Sequence, residues 1–92
     1  MKTKVIFRIF PDGEVIALFP EIPADQQAGH CLSYMHTGQH GAASADLPPY
    51  TRSATPEECA PLLEELRTIG YDPQVIARSH PSHHRTRVSA MG

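Results

Sequence analysis

The chain is predicted to be a small α+β domain: a mainly antiparallel sheet in β-β-β-α-β order, with one helix packed on one face. Three features predict it. Residues 4–10 and 15–19 are rich in β-branched and aromatic side chains and flank Pro11-Asp12-Gly13-Glu14, the pattern of a hairpin. Residues 31–36 alternate again. Residues 55–70 carry helix start and stop signals around an apolar stripe at helical spacing.

The first strand places Val5, Phe7 and Ile9 on one face and Ile6, Arg8 and Phe10 on the other. Asp12-Gly13 supplies the turn, because glycine accepts a positive φ at little steric cost. Pro20 and Pro23 end the return strand, since neither has an N–H for the ladder. The third strand sets Leu32 and Tyr34 against Cys31, Ser33 and Met35. Residues 37–52 show no sustained period, and Gly38, Gly41, Pro48 and Pro49 mark them as one long loop.

Thr55-Pro56-Glu57-Glu58 reads as a capping box with proline at the first helical position. Cys59, Leu62, Leu63, Leu66 and Ile69 form the stripe; Glu64, Glu65 and Arg67 are expected in water. Pro61 is expected to remove one helical hydrogen bond or to shift the regular start to its own position. Gly70 is a C-cap signal and residues 74–78 a fourth strand. Residues 1–78 are expected to be the compact domain. Residues 79–92, a flexible arm rich in Ser, His and Arg, show no core pattern.

Ninety-two residues suffice for one modest core. A net charge of −2 argues against a general nucleic-acid binder. The charge is uneven. Residues 1–77 hold five basic and ten acidic side chains, a balance of −5, whereas residues 78–92 hold Arg78, Arg85 and Arg87 and no acid, a balance of +3. Three arginines without an aromatic platform support at most weak, salt-sensitive phosphate binding. The amino terminus lacks a secretory h-region, and no apolar run reaches membrane-spanning length. The expectation is a cytoplasmic, non-membrane protein whose Cys31 and Cys59 stay reduced and fill the core.

The segment HCLSYMHTGQHGAA concentrates histidine and glycine, and it is the expected working surface. The binding residues it nominates are His36, Gly38, Gln39, His40 and Gly41, with Asp46 and Tyr50 just beyond. His36 and His40 converge if the segment is helical or turned. Zinc would require further ligands from His30, Cys31 or Cys59 in a spacing unlike the strong signatures, so no metal and no cofactor is expected. Gly38-Gln39-His40-Gly41 is also read as a candidate anion nest. A Cys31 nucleophile paired with His36 or His40 stays open.

The block VIFRIFPDGEVIALFPEIPAD, a third strand and TPEECAPLLEEL resemble the amino-terminal domain of HicB-type antitoxins. The shared features are the Asp12-Gly13 hairpin, the Phe19-Pro20-Glu21-Ile22-Pro23 strand exit and the helix opening from Thr55 to Glu58. They cover residues 4–78. The resemblance implies a reduced ribonuclease H fold and an antitoxin-like role. This chain departs from the pattern in its longer loop, and the DNA-binding domain common in that family has no room here. The chain is also similar to small uncharacterised proteins of gut bacteria and their phages.

The leading expectation is therefore a bacterial protein-binding or regulatory module, antitoxin-like or a phage-type inhibitor, and not an enzyme. A protein partner would meet residues 36–46 and Tyr50. A homodimer would use apolar surface left on the sheet by Ile6, Phe10, Ile16 and Leu18. One alternative is a small hydrolase or nuclease working through His36 or His40, with or without a metal. The other is an RNA-binding accessory protein using the arm.

Overall fold

The computed structural model describes residues 2–25, 29–35, 39–44, 51–77 and 80–91. Its architecture is α+β, with an antiparallel sheet and a packed helix as the sequence predicts. Strands β1 (Thr3–Ile9), β2 (Val15–Phe19) and β3 (His30–Met35) form an antiparallel meander. It continues into β4 (Gln39–Ser44) and is followed by β5 (Arg52–Ser53), helix α1 (Pro56–Thr68), β6 (Pro73–Val75) and helix α2 (Pro81–Ala90). The strand order is β4-β3-β2-β1-β5, and β6 pairs with β1 as well.

β1 is the hub. One of its edges pairs with β2 from Ile6↔Leu18 to Ile9↔Val15. The other is shared: β5 runs antiparallel beside Arg8 and Ile9, and β6 runs parallel beside Thr3, Lys4 and Val5. Arg8 fixes the β5 end by donating to the Thr51 hydroxyl, the Thr51 carbonyl and the Ser53 hydroxyl.

The hairpin forms as expected. Gly13 has φ of 93° and its N–H donates to the Phe10 carbonyl, while the Asp12 carboxylate accepts from the Glu14 N–H. Strand alternation then builds two cores. Val5, Phe7, Ala17, Phe19 and Tyr34 meet Cys59, Leu62 and Leu66 of α1. Ile6, Ile16, Leu18 and Cys31 form a second cluster on the opposite face, with Phe10, Met35, Ala43 and Ile76 packed against it.

That second cluster corrects the expectation of unshielded apolar surface. Ile6, Ile16 and Leu18 are only 4%, 5% and 2% exposed within the single chain. The arm reaches this face only near Cys31, where the structure differs from the expectation of a segment without a core role. Residues 81–90 are helical, and the Arg87 side chain is 1% exposed, donating to the Pro20 carbonyl. A charged anchor carries no hydrophobic period, so the pattern hid it. Arg87 is thereby withdrawn from the three arginines considered for phosphate binding.

The presumed long loop is also corrected. Gln39–Ser44 pairs with β3 throughout, from His30↔Ser44 to Met35↔Gln39. The small residues of this segment gave no apolar alternation to read. The fourth predicted strand is shorter and earlier, Pro73–Val75.

In α1 the Thr55 hydroxyl accepts from the Glu58 N–H and the Glu58 carboxylate accepts from the Thr55 N–H, completing the capping box. Pro61 is accommodated inside the helix instead of delaying its start. At the far end Gly70, with φ of 110°, donates to the Arg67 carbonyl, and the Tyr71 N–H reaches back to Leu66. These two bonds make a Schellman stop. Ile69, expected on the buried stripe, is the C-cap residue and is 47% exposed.

Arg52 grips Glu58 through two hydrogen bonds of 2.8 and 2.6 Å. This contact, together with the Thr55 N–H, holds the Glu58 carboxyl down at about 2. A carboxyl depressed on folding stabilises the fold above its unfolded value of about 4.3, and the contribution is lost as pH falls toward about 2. Carbon-detected NMR titration should find the Glu58 midpoint near about 2. In Arg52→Gln the midpoint should move up toward the ordinary glutamate range. Urea denaturation should show Leu66→Ala losing about 2–5 kcal/mol, a full cavity in the core. Ile69→Ala should stay within about 0.5 kcal/mol, as for an exposed position.

Candidate functional site

The open end of the α1 face holds the most developed polar cluster among the described residues. Register puts His40 of β4 directly across from Tyr34 of β3, so the two rings share one face. They meet edge to face with centroids 4.9 Å apart. The Schellman stop of α1 delivers Tyr71 to the same place. The Tyr71 hydroxyl lies 2.9 Å from His40 Nε2, and the Tyr71 ring stacks on Phe19 at 4.9 Å.

Tyr34, His40, Ile69, Gly70 and Tyr71 line an open depression of about 480 Å³. Its floor is dry and its rim is wet: Tyr34 is buried, Tyr71 half-buried and His40 exposed. A hydrogen bond to the Glu65 carboxylate raises the Tyr34 phenol, and burial raises that of Tyr71. Both hydroxyls therefore keep their protons at neutral pH. Glu65, expected in water, instead turns toward the sheet to meet Tyr34.

Of the residues nominated from sequence, His40 and Gly41 lie on β4, His40 in the depression and Gly41 beside Ser33. Gln39 is placed on the same strand by its backbone. Gly41 is not a turn residue. It is extended, its carbonyl accepts from the Ser33 hydroxyl, and a Cβ there would meet only Ser33 Oγ at 3.9 Å. Residues 39–41 are thus paired strand, which counts against a helix at His40 and against a nest at Gln39, His40 and Gly41. His36, Gly38, Asp46 and Tyr50 lie outside the described residues.

The cysteines fill the core as expected, and the alternatives of a shared metal or a reactive thiol are not supported. Cys31 and Cys59 are free, buried and on opposite faces of the sheet. They can neither pair with each other nor join one metal, and burial pushes both thiols up, away from the thiolate. His30 is engaged with Asp25 at 2.9 Å. Among the described residues no three His, Cys, Asp or Glu side chains converge as a metal site. No helix among them is long and apolar enough to cross a membrane.

Sequence reasoning missed Tyr71, Glu65 and Ile69. Tyr71 had a signal: the residue after a C-cap glycine commonly packs back on the last helical turn. A second concavity of about 450 Å³ lies beside β1, lined by Phe7, Ala54, Cys59, Leu63, Val75 and Ile76. It sits in the gap between β5 and β6 and is chiefly apolar.

The chain matches no protein-family model, no curated protein and no solved structure.

If the Tyr71 hydroxyl orients His40, then Tyr71→Phe should leave the fold intact and free the ring. The expected signature is a change in the His40 Nε2 nitrogen chemical shift, with a stability change of about 1 kcal/mol or less. An unchanged Nε2 shift would show that the hydroxyl does not act on the ring.

Proposed function

We propose that this protein is a small protein-binding regulatory module, antitoxin-like or a phage-type inhibitor, whose partner docks on β4 and the carboxy-terminal end of α1. The observation that carries this reading is the Tyr34–His40–Tyr71 cluster beside exposed Ile69. Interlocked aromatic rings with fixed polar tips lose little side-chain entropy on binding, and they are the residue types that anchor protein interfaces.

The sheet edge supports the same reading. Among the described residues β4 pairs with β3 alone, and Gly41 and Ala42 on it are exposed. A strand of small residues admits close approach of another backbone, so a partner segment can add to the edge by main-chain hydrogen bonds. Specificity would then come from His40 and Tyr71. Self-association, where it occurs, would use this edge and not the buried Ile6–Leu18 face. The resemblance to antitoxin domains is compatible with the strand order, in which the strand after α1 returns parallel to β1.

A tagged chain should retain one specific protein through purification from its native cells. With that partner in hand, His40→Ala should weaken the complex by about tenfold or more, the size expected for a central anchor. Glu57→Ala, exposed at the opposite end of α1, should leave it unchanged. Equal affinity for wild type and His40→Ala would refute the surface. Turnover of a phosphodiester or ester substrate that His40→Ala abolishes would favour the hydrolase reading instead.

A further inference from the structure

Helix α2 is held by an unusual set of acceptors. The His80 ring Nδ1 faces the Ser82 backbone N–H at 3.1 Å. The His83 Nδ1 faces the His80 backbone N–H at 3.0 Å. The His84 Nδ1 faces Arg87 Nη2 at 2.8 Å. A backbone N–H and a guanidinium only donate, so all three Nδ1 atoms must accept. The three rings are therefore neutral, with their protons on Nε2. An imidazolium has no acceptor nitrogen, so protonation abolishes each of these bonds.

We propose that α2 is a histidine latch, held closed at neutral pH by the Nδ1 acceptors of its rings and opened by protonation of buried His83, which releases Arg87 from the Pro20 carbonyl and uncovers the Cys31 end of the second sheet face.

The consequences of protonation add in one direction. His80 is the N-cap and His83 completes the reciprocal cap, so protonation of His83 strips the acceptor from the His80 N–H and breaks the box at the helix start. It also sets positive charge at the helix N-terminus, where the peptide dipole opposes it. The first turn holds no acidic residue to compensate.

The surroundings agree. From β1 and the exit of β2, Lys4 and Glu21 face His83; from α2 itself, His80 and Arg87 do. Glu21 favours the charged ring. Burial of His83, 7% exposed, outweighs it and holds this ring below the ordinary histidine range. Cys31, 1% exposed, lies close enough to Arg87 to feel its charge. A histidine depressed in the closed state stabilises that state above the ordinary value of about 6.5, and the stabilisation is lost as pH falls below it.

The free rim of α2 is not a metal site: each ring spends Nδ1 on a hydrogen bond and carries its proton on Nε2, the nitrogen a metal would need. The latch is also independent of the His40 surface, which lies on the other face of the sheet.

The full chain is titrated from about pH 7.5 to about pH 5 and followed by hydrogen exchange corrected for the intrinsic pH effect. Residues 81–90 should lose protection by at least about tenfold while β1 and α1 keep theirs. Nitrogen NMR should find all three rings as the Nε2–H tautomer at the upper pH. Cys31 should become about tenfold more reactive relative to Cys59, which shares the intrinsic thiol dependence. Asparagine places an acceptor oxygen where Nδ1 sits but does not titrate, so His80→Asn/His83→Asn/His84→Asn should keep α2 closed at about pH 5. Unchanged protection of α2 in the wild type, an Nδ1–H tautomer, or acid opening of the triple variant at the wild-type midpoint would overturn the latch. If the triple variant does not form α2 at neutral pH, the wild-type titration and tautomers alone decide.

Discussion

β1 serves both cores, as β2 and β3 do, but among the described strands it alone pairs with three others. Its odd-numbered side chains Val5 and Phe7 enter the core under α1, and its even-numbered Ile6 enters the opposite cluster. Its two edges serve β2, β5 and β6. A one-residue slip in its pairing would exchange the two faces at once, turning Lys4 and Arg8 toward α1 and breaking the Arg8 contacts with Thr51 and Ser53. The hairpin register, fixed by Gly13 and the Asp12 carboxylate, is therefore what the rest of the architecture requires. The parallel return of β6 beside Val5 closes the same constraint from the far end of the chain.

The candidate surface is a consequence of how far that framework extends. α1 packs against β2 and β6, near the middle of the sheet, and leaves the β3–β4 side less covered. Tyr34 still reaches the core, but its cross-strand neighbour His40 stands in water. The helix stop at Gly70 then drops Tyr71 between Phe19 and His40. Three elements distant in sequence thus converge on one rim because a sheet edge outruns the helix that covers it. The same geometry leaves Ile69 outside, as an apolar neighbour to the polar tips.

Much of the framework was legible. Alternation in residues 4–10 and 15–19 assigned the two faces correctly, and Thr55 to Glu58 announced the capping box. What the sequence hid has physical reasons. β4 is Gln, His, Gly, Ala, Ala and Ser, with nothing large to alternate, so its pairing with β3 could only be seen in three dimensions. The arm was unreadable because its buried anchors are Arg87 and His83, not apolar side chains, and the partner of Arg87 is a carbonyl 67 residues away. Of the site, His40 was found from composition. Tyr71 was not, since the hydrogen bond that joins them spans 31 residues. The glycine at position 41 misled: it suggested a turn, and it is a strand residue of an edge.

The account rests on β1 being the last element to let go. Native-state hydrogen exchange at neutral pH tests that directly. The amides that β1 and β2 exchange with each other should be the slowest in the chain and should open only with global unfolding, ahead of nothing in β4, β5 or α2. Amides of β1 that exchange as fast as those of α2, or that open while β3 and β4 stay protected, would contradict the central place assigned to that strand.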